Sequence, residues 1–119
     1  GGMERYRHLE TLNFITTELH KSFSPLFNPK LSEETKTYFR EHLSHRFSAM
    51  EKQLEGREFV MGSTYSLPDA YLFVMTRWAK GNKVDISGYP NLLKHYEKIY
   101  ARPATKKVLE LEGVNKEKN

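Results

Sequence analysis

Cysteine is absent from the 119 residues. That excludes disulfides, thiolate-based zinc sites and a cysteine nucleophile within this chain. It also fits a reducing, cytoplasmic setting. Long apolar runs are absent too. Nowhere do about 18 apolar residues follow one another, so no segment reads as a membrane-spanning helix, and no signal-peptide pattern opens the chain. Alternation of apolar and polar residues over a useful length is missing. "EFVMG" (58–62) comes nearest and is too short for a strand. There is no internal repeat, no low-complexity linker and no visible domain boundary.

What is present is one domain's worth of chain with a helical rhythm. Gly1–Gly2 ahead of Met3 reads as a tag remnant, so 1–3 is set apart from a helical domain over 4–113 and a charged tail over 114–119. The net charge of +4 and pI near 9.3 could suit nucleic acid or an anionic membrane. Lysine and arginine are, however, interleaved with acids, as in "KHYEKIYAR", which is the pattern of solvated helix faces. Neither nucleic acid nor membrane is therefore expected as a partner.

The rhythm divides into about five helices, an all-α bundle. Leu9, Leu12, Thr16, Leu19 and Phe23 step by three or four, the face of a first helix from about Glu4 to Phe23, ended by Pro25 and Pro29. Ser32 can cap a second helix, with Glu33 and Glu34 in its first turn. Phe39, Leu43, Phe47, Met50 and Leu54 form its stripe and Gly56 ends it. "SLPDAYLFVMTRWA" starts a third, with Ser66 at the N-cap, Pro68 in the first turn and Asp69 as the acidic partner of a capping box. Its apolar residues lie nearly all round, as in a buried central helix. Gly81 and "DISGYP" break it, "PNLLKHYEKIYA" makes a fourth helix with Pro90 at its start, and "ATKKVLELE" a short fifth.

Several side chains could carry chemistry. On an α-helical wheel Asn13, Thr17 and His20 fall within about 60° of one another. They offer an amide, a hydroxyl and an imidazole to a polar ligand, beside Glu10 and Lys21. A histidine there could also stabilise an anion such as a thiolate, although the same column suits a plain solvated face. Tyr71, Met75 and Trp78 recur at i, i+4 and i+7, a stripe that fits a core or a half-open apolar pocket. Ser66 and Asp69 read as structural. His42 and His45 have helical spacing for one metal but no third ligand, so no metal site is expected. His8 and His95 have no context.

"LNFITTELHKSFSPLF", "STYSLPDAYLFVMTRWA" and "YPNLLKHYEKIYARPATKKVLELEG" together resemble the C-terminal helical domain of a bacterial, beta-class-like glutathione transferase, over most of the chain and in order. "ELHK" is the more class-specific part. The resemblance implies a two-domain parent in which a thioredoxin-like half, not seen in these residues, holds glutathione as co-substrate with no other cofactor. It implies a homodimer acting in detoxification. His20 would lie near the glutathione sulfur as the catalytic side chain, with Lys21 in the same cleft. Asn13 and Thr17 would reach glutathione, and Phe23, Tyr71 and Trp78 would surround a hydrophobic electrophile. The chain alone is expected to be inactive, as one domain cut from a longer protein. The alternative is a non-catalytic binding or scaffold protein with the same helices.

Overall fold

A computed structural model describes residues 2–112, with the side chains of Glu4, His8 and 108–112 left aside. Gly1 and the expected charged tail lie outside the described residues. The first helical run is α1 (Gly2–Asn13), a π-helical turn (Phe14–Leu19), α2 (His20–Ser22) and a 3-10 turn (Ser24–Phe27) holding Pro25. The expected stripe is displaced: Leu9 is 57% exposed, while Thr11, Ile15, Leu19 and Phe23 are buried. These four are spaced by four, and such a column drifts about 40° per step on a 3.6-residue helix. The wider π turn, with its i→i+5 bonds, takes up that drift and keeps the column facing inward. Hydroxyls reinforce the turn. Thr16 Oγ1 donates to the Leu12 carbonyl at 3.0 Å, Thr17 Oγ1 to Asn13 at 2.6 Å, and Ser22 Oγ to Glu18.

Helix α3 (Glu33–Gln53) starts as expected, with Ser32 Oγ accepting the Thr35 N–H at 3.2 Å. Leu43, Phe47, Met50 and Leu54 are buried, and Phe39 packs against them. Gly56 turns the chain at φ +71°. "EFVMG" forms a tight turn with a single bridge between Phe59 and Gly62, and Gly62 takes φ +138°, an angle that L side chains rarely adopt. Helix α4 (Leu67–Gly81) buries Leu72, Phe73, Met75, Thr76 and Ala79, but Leu67, Tyr71 and Val74 are exposed at 52%, 42% and 38%. The expected all-round burial is thus corrected: among the described residues one strip of α4 faces outward.

Helix α5 (Pro90–Tyr100) has no N-cap hydrogen bond of its own. Glu51, from α3, supplies the missing acceptor: its carboxylate takes the N–H groups of Asn91 and Leu92 at 3.1 and 2.8 Å. Helix α6 (Pro103–Glu112) follows a short break. Helix α4 lies between the first helical run and α5, and α3 closes the bundle against α5, the π turn and the 3-10 turn. The main core is built from Ile15, Leu19, Phe23, Phe47, Leu72 and Leu92 among others. A second cluster of Phe73, Tyr96 and Ile99 sits towards α6, edged by Phe59, Tyr65 and Tyr100. The expected all-α bundle is what the described residues form.

Helix α4 ends at Gly81, as expected, but the left-handed turn that closes it falls two residues later and not on the glycine. Lys83 takes the left-handed position at φ 62°, and the Val84 N–H closes on the Ala79 carbonyl at 3.0 Å, which is a Schellman end. A lysine pays a steric cost there that glycine does not. Lys83→Gly should therefore raise stability by about 1 kcal/mol, read as a higher denaturant midpoint with unchanged slope. An equal or lower midpoint would mean that the lysine is unstrained.

Candidate functional site

The end of the first helical run carries the polar residues singled out in the sequence. Asn13, Thr17, His20 and Lys21 are all exposed. Asn13 and Thr17 stay stacked one turn apart, tied by the hydroxyl-to-carbonyl bond between them. That bond commits the Thr17 proton and leaves its oxygen lone pairs to accept. Glu18, on the same run, pairs with Arg46 of α3 at 2.5 Å and fixes the run on the bundle.

Aromatic contacts join this end to α4. The His20 ring lies 5.3 Å from Trp78, tilted by 47°. Phe23 and Phe27 stack at 6.3 Å, and both meet Trp78 edge-on, at 5.5 and 5.7 Å. Such edge-to-face geometry is the favoured one for aromatic pairs. Phe23 also meets Phe47 of α3 at 6.3 Å. Phe23 is fully buried, so it anchors the cluster from below and offers no surface in this chain. Phe27, placed by the 3-10 turn and 54% exposed, presents the open ring instead. Sequence reasoning left Phe27 out of the binding set. The signal for it was the proline two residues earlier, which bends the chain back over Trp78. Tyr71 is exposed two helical turns before Trp78, about 10 Å along the axis, and shares none of these ring contacts. Met75, between them, is buried in the core. The i, i+4, i+7 stripe therefore runs from solvent to core and does not line one wall.

Asp69 behaves as the structural residue that its spacing indicated. With Ser66 it forms a capping box, its Oδ2 accepting the Ser66 N–H at 2.8 Å. Its other oxygen takes the Val60 N–H and His95 Nε2, each at 2.8 Å. Both side chains are buried, Asp69 at 0% and His95 at 1% exposure. Burial pushes the Asp69 carboxyl up, but hydrogen bonds from His95, Val60 and Ser66, and the charge of His95, outweigh it and hold the group below the ordinary aspartate range. His95 had no context in the sequence because its partner lies 26 residues away. Among the described residues, no group of three or more His, Cys, Asp or Glu could hold a metal ion, and His42 stacks on Tyr38.

Comparison with known proteins places these observations. The model of the glutathione S-transferase C-terminal domain matches residues 14–103. The chain is 34% identical over 114 residues to glutathione S-transferase GstA of Escherichia coli O157:H7, covering 96% of this chain and 57% of that protein. A sphingomonad glutathione S-transferase solved in complex with glutathione superposes with a TM-score of 0.87 at 38% identity, over 96% of this chain and 57% of that one. The bacterial beta-class glutathione S-transferase of Sphingomonas chungbukensis gives 0.86 and 38%, with the same coverage. The chain thus spans somewhat more than half the length of the proteins it matches.

Removing a buried carboxylate that satisfies three donors on separate segments costs far more than losing an exposed cap. Asp69→Ala should lower stability by about 3 kcal/mol or more. The pH dependence has a definite sign. The Asp69 pKa is lower when folded than its ordinary 3.8, so its contribution is complete above that value and is lost as pH falls towards the folded one. Acid titration of the wild-type midpoint should show this loss, and Asp69→Asn should flatten that limb. An unflattened limb would assign acid sensitivity to other carboxylates.

Proposed function

Because the chain belongs to the glutathione S-transferase C-terminal domain family, we propose that it forms the electrophile-side wall of a glutathione transferase. In the reaction a glutathione thiolate attacks an electrophilic carbon. A sulfur–carbon bond forms, and the leaving group departs with the electron pair of the bond that breaks. A thioredoxin-like domain holds the glutathione backbone, and His20 is the side chain nearest the sulfur. Lys21 adds a cation to the same cleft, while Asn13 and Thr17 bind polar groups of glutathione. Trp78 and Phe27 form the apolar side, with Phe23 as the support beneath and Tyr71 farther along the same helix.

The observation that carries this reading is the aromatic shelf of Trp78 and Phe27 with the exposed His20 ring against it and the exposed Lys21 next along the chain. Two rings set edge-to-face leave ring surface on which an aromatic electrophile can pack. A cation and an imidazole beside it favour a thiolate over a thiol and hold it near the carbon it attacks. The same reading carries a homodimer, a cytoplasmic setting and a role in detoxification, with glutathione as co-substrate and no further cofactor. Among the described residues, no helix is long and apolar enough to cross a membrane.

Fusing the chain to the thioredoxin-like half of the Escherichia coli relative tests the reading. The fusion should conjugate glutathione to 1-chloro-2,4-dinitrobenzene. His20→Ala should lower kcat/KM by about tenfold or more, and Trp78→Ala should raise the KM for the aryl halide more than that for glutathione. A fusion that binds glutathione but conjugates nothing would favour the non-catalytic alternative.

A further inference from the structure

Apart from the aromatic shelf, the chain has a half-enclosed hollow of about 340 Å³ between the turn after α3 and one side of α5. Its wall includes Arg57, Glu58, Asn91, Lys94, His95 and Lys98. Hollows of this volume fall in the range that holds small molecules. The charge is unbalanced, with three permanent cations facing one carboxylate. Lys98 lies 3.8 Å from Glu58 and donates to the Glu58 carbonyl at 3.3 Å, and its ammonium also sits 5.1 Å from the Phe59 ring centroid. That pair is exposed, and an exposed pair of this kind yields readily to a better anion. Arg57 spends one nitrogen on the Val60 carbonyl at 3.3 Å and keeps its remaining donors. Lys94 is exposed and makes no hydrogen bond or ion pair with the described residues.

Two features fix these cations in place. Gly56, at φ +71°, reverses the chain and delivers Arg57 to the mouth. The Asp69–His95 pair ties α5 to α4, so that Lys94 and Lys98, one turn apart, flank a buried, hydrogen-bonded ring. Glu51 already holds the α5 N-terminal amides, which removes the helix end as an anion site and leaves the side chains to do the binding.

We propose that this hollow binds a small molecule carrying a phosphate group. Donors on two elements, a guanidinium and two ammonium groups, converge on one concave space. Three acceptor oxygens on one tetrahedral centre satisfy such a set better than the two of a carboxylate. A concave wall of low polarisability focuses the field of its charges on whatever enters. The ligand is small because the hollow is bounded, and because elsewhere the lysines alternate with acids and form no extended basic track. The site is separate from the transferase reading and stands or falls without it.

The test is a titration of the full chain with sodium pyrophosphate, followed by amide and histidine-ring NMR shifts at constant ionic strength set with chloride. Saturable shifts confined to 54–58 and 91–98, with the His95 ring moving and His42 still, are expected. Lys94→Ala, whose side chain makes no hydrogen bond or ion pair with the described residues, and Arg57→Ala should each weaken binding by about tenfold, while Lys30→Ala on the exposed loop should change nothing. Shifts that rise linearly without saturating, that spread over the lysines generally, or that are the same in Lys94→Ala and wild type would overturn the proposal.

Discussion

One buried carboxylate holds the parts of this bundle in register. Asp69 accepts from the backbone at Ser66 and Val60 and from the ring of His95, so one side chain fastens the start of α4, the loop before it and the middle of α5. A charge with no water around it is tolerated only when its lone pairs are met, and here the folded arrangement alone meets them. The loop between α3 and α4, which has almost no regular structure, owes its path to this one acceptor. Helix α4, started by this bond set, then packs on the first helical run through the apolar core, and Trp78 sits on that core beside His20.

The parts of the fold that were legible in the sequence are those governed by neighbours along the chain. The α3 stripe, the Ser32 cap and the Ser66–Asp69 box are short-range patterns, and each appears where the spacing put it. The misread parts are those that depend on distance or on an unusual helical pitch. A wheel drawn at a constant 100° assigned Leu9 and Leu12 to the buried face, whereas the π turn turns that face to Thr11 and Ile15. Glu51 could not be recognised as the cap of α5, nor His95 as the partner of Asp69, because each bond spans dozens of residues. Lys83 in the left-handed position ran against the expectation of glycine, and the Schellman bond around it supplies the reason that it is held there.

The site was legible in a similar measure. His20 beside Trp78 joins two segments that the sequence singled out separately, and the ring contact between them is what tertiary structure adds. Phe23 and Phe27 exchange their expected importance, since burial removes one from reach and the 3-10 turn brings the other out. On α4, Leu67, Tyr71 and Val74 stand out from a helix whose remaining face is core.

The π turn has a consequence for how such a site can change over generations. A π turn differs from an α turn by one residue, so it acts as a one-residue insertion absorbed inside a continuous helix. Removing a residue between Phe14 and Leu19 would return the run to α pitch and leave α1 and the Phe23 anchor at nearly the same bearing, because the wide turn had already absorbed that residue. Only the residues inside the turn, Thr16 and Thr17 among them, would change the direction they face. A helix built this way can vary part of its polar column by gaining or losing a single codon, with the aromatic anchor left undisturbed.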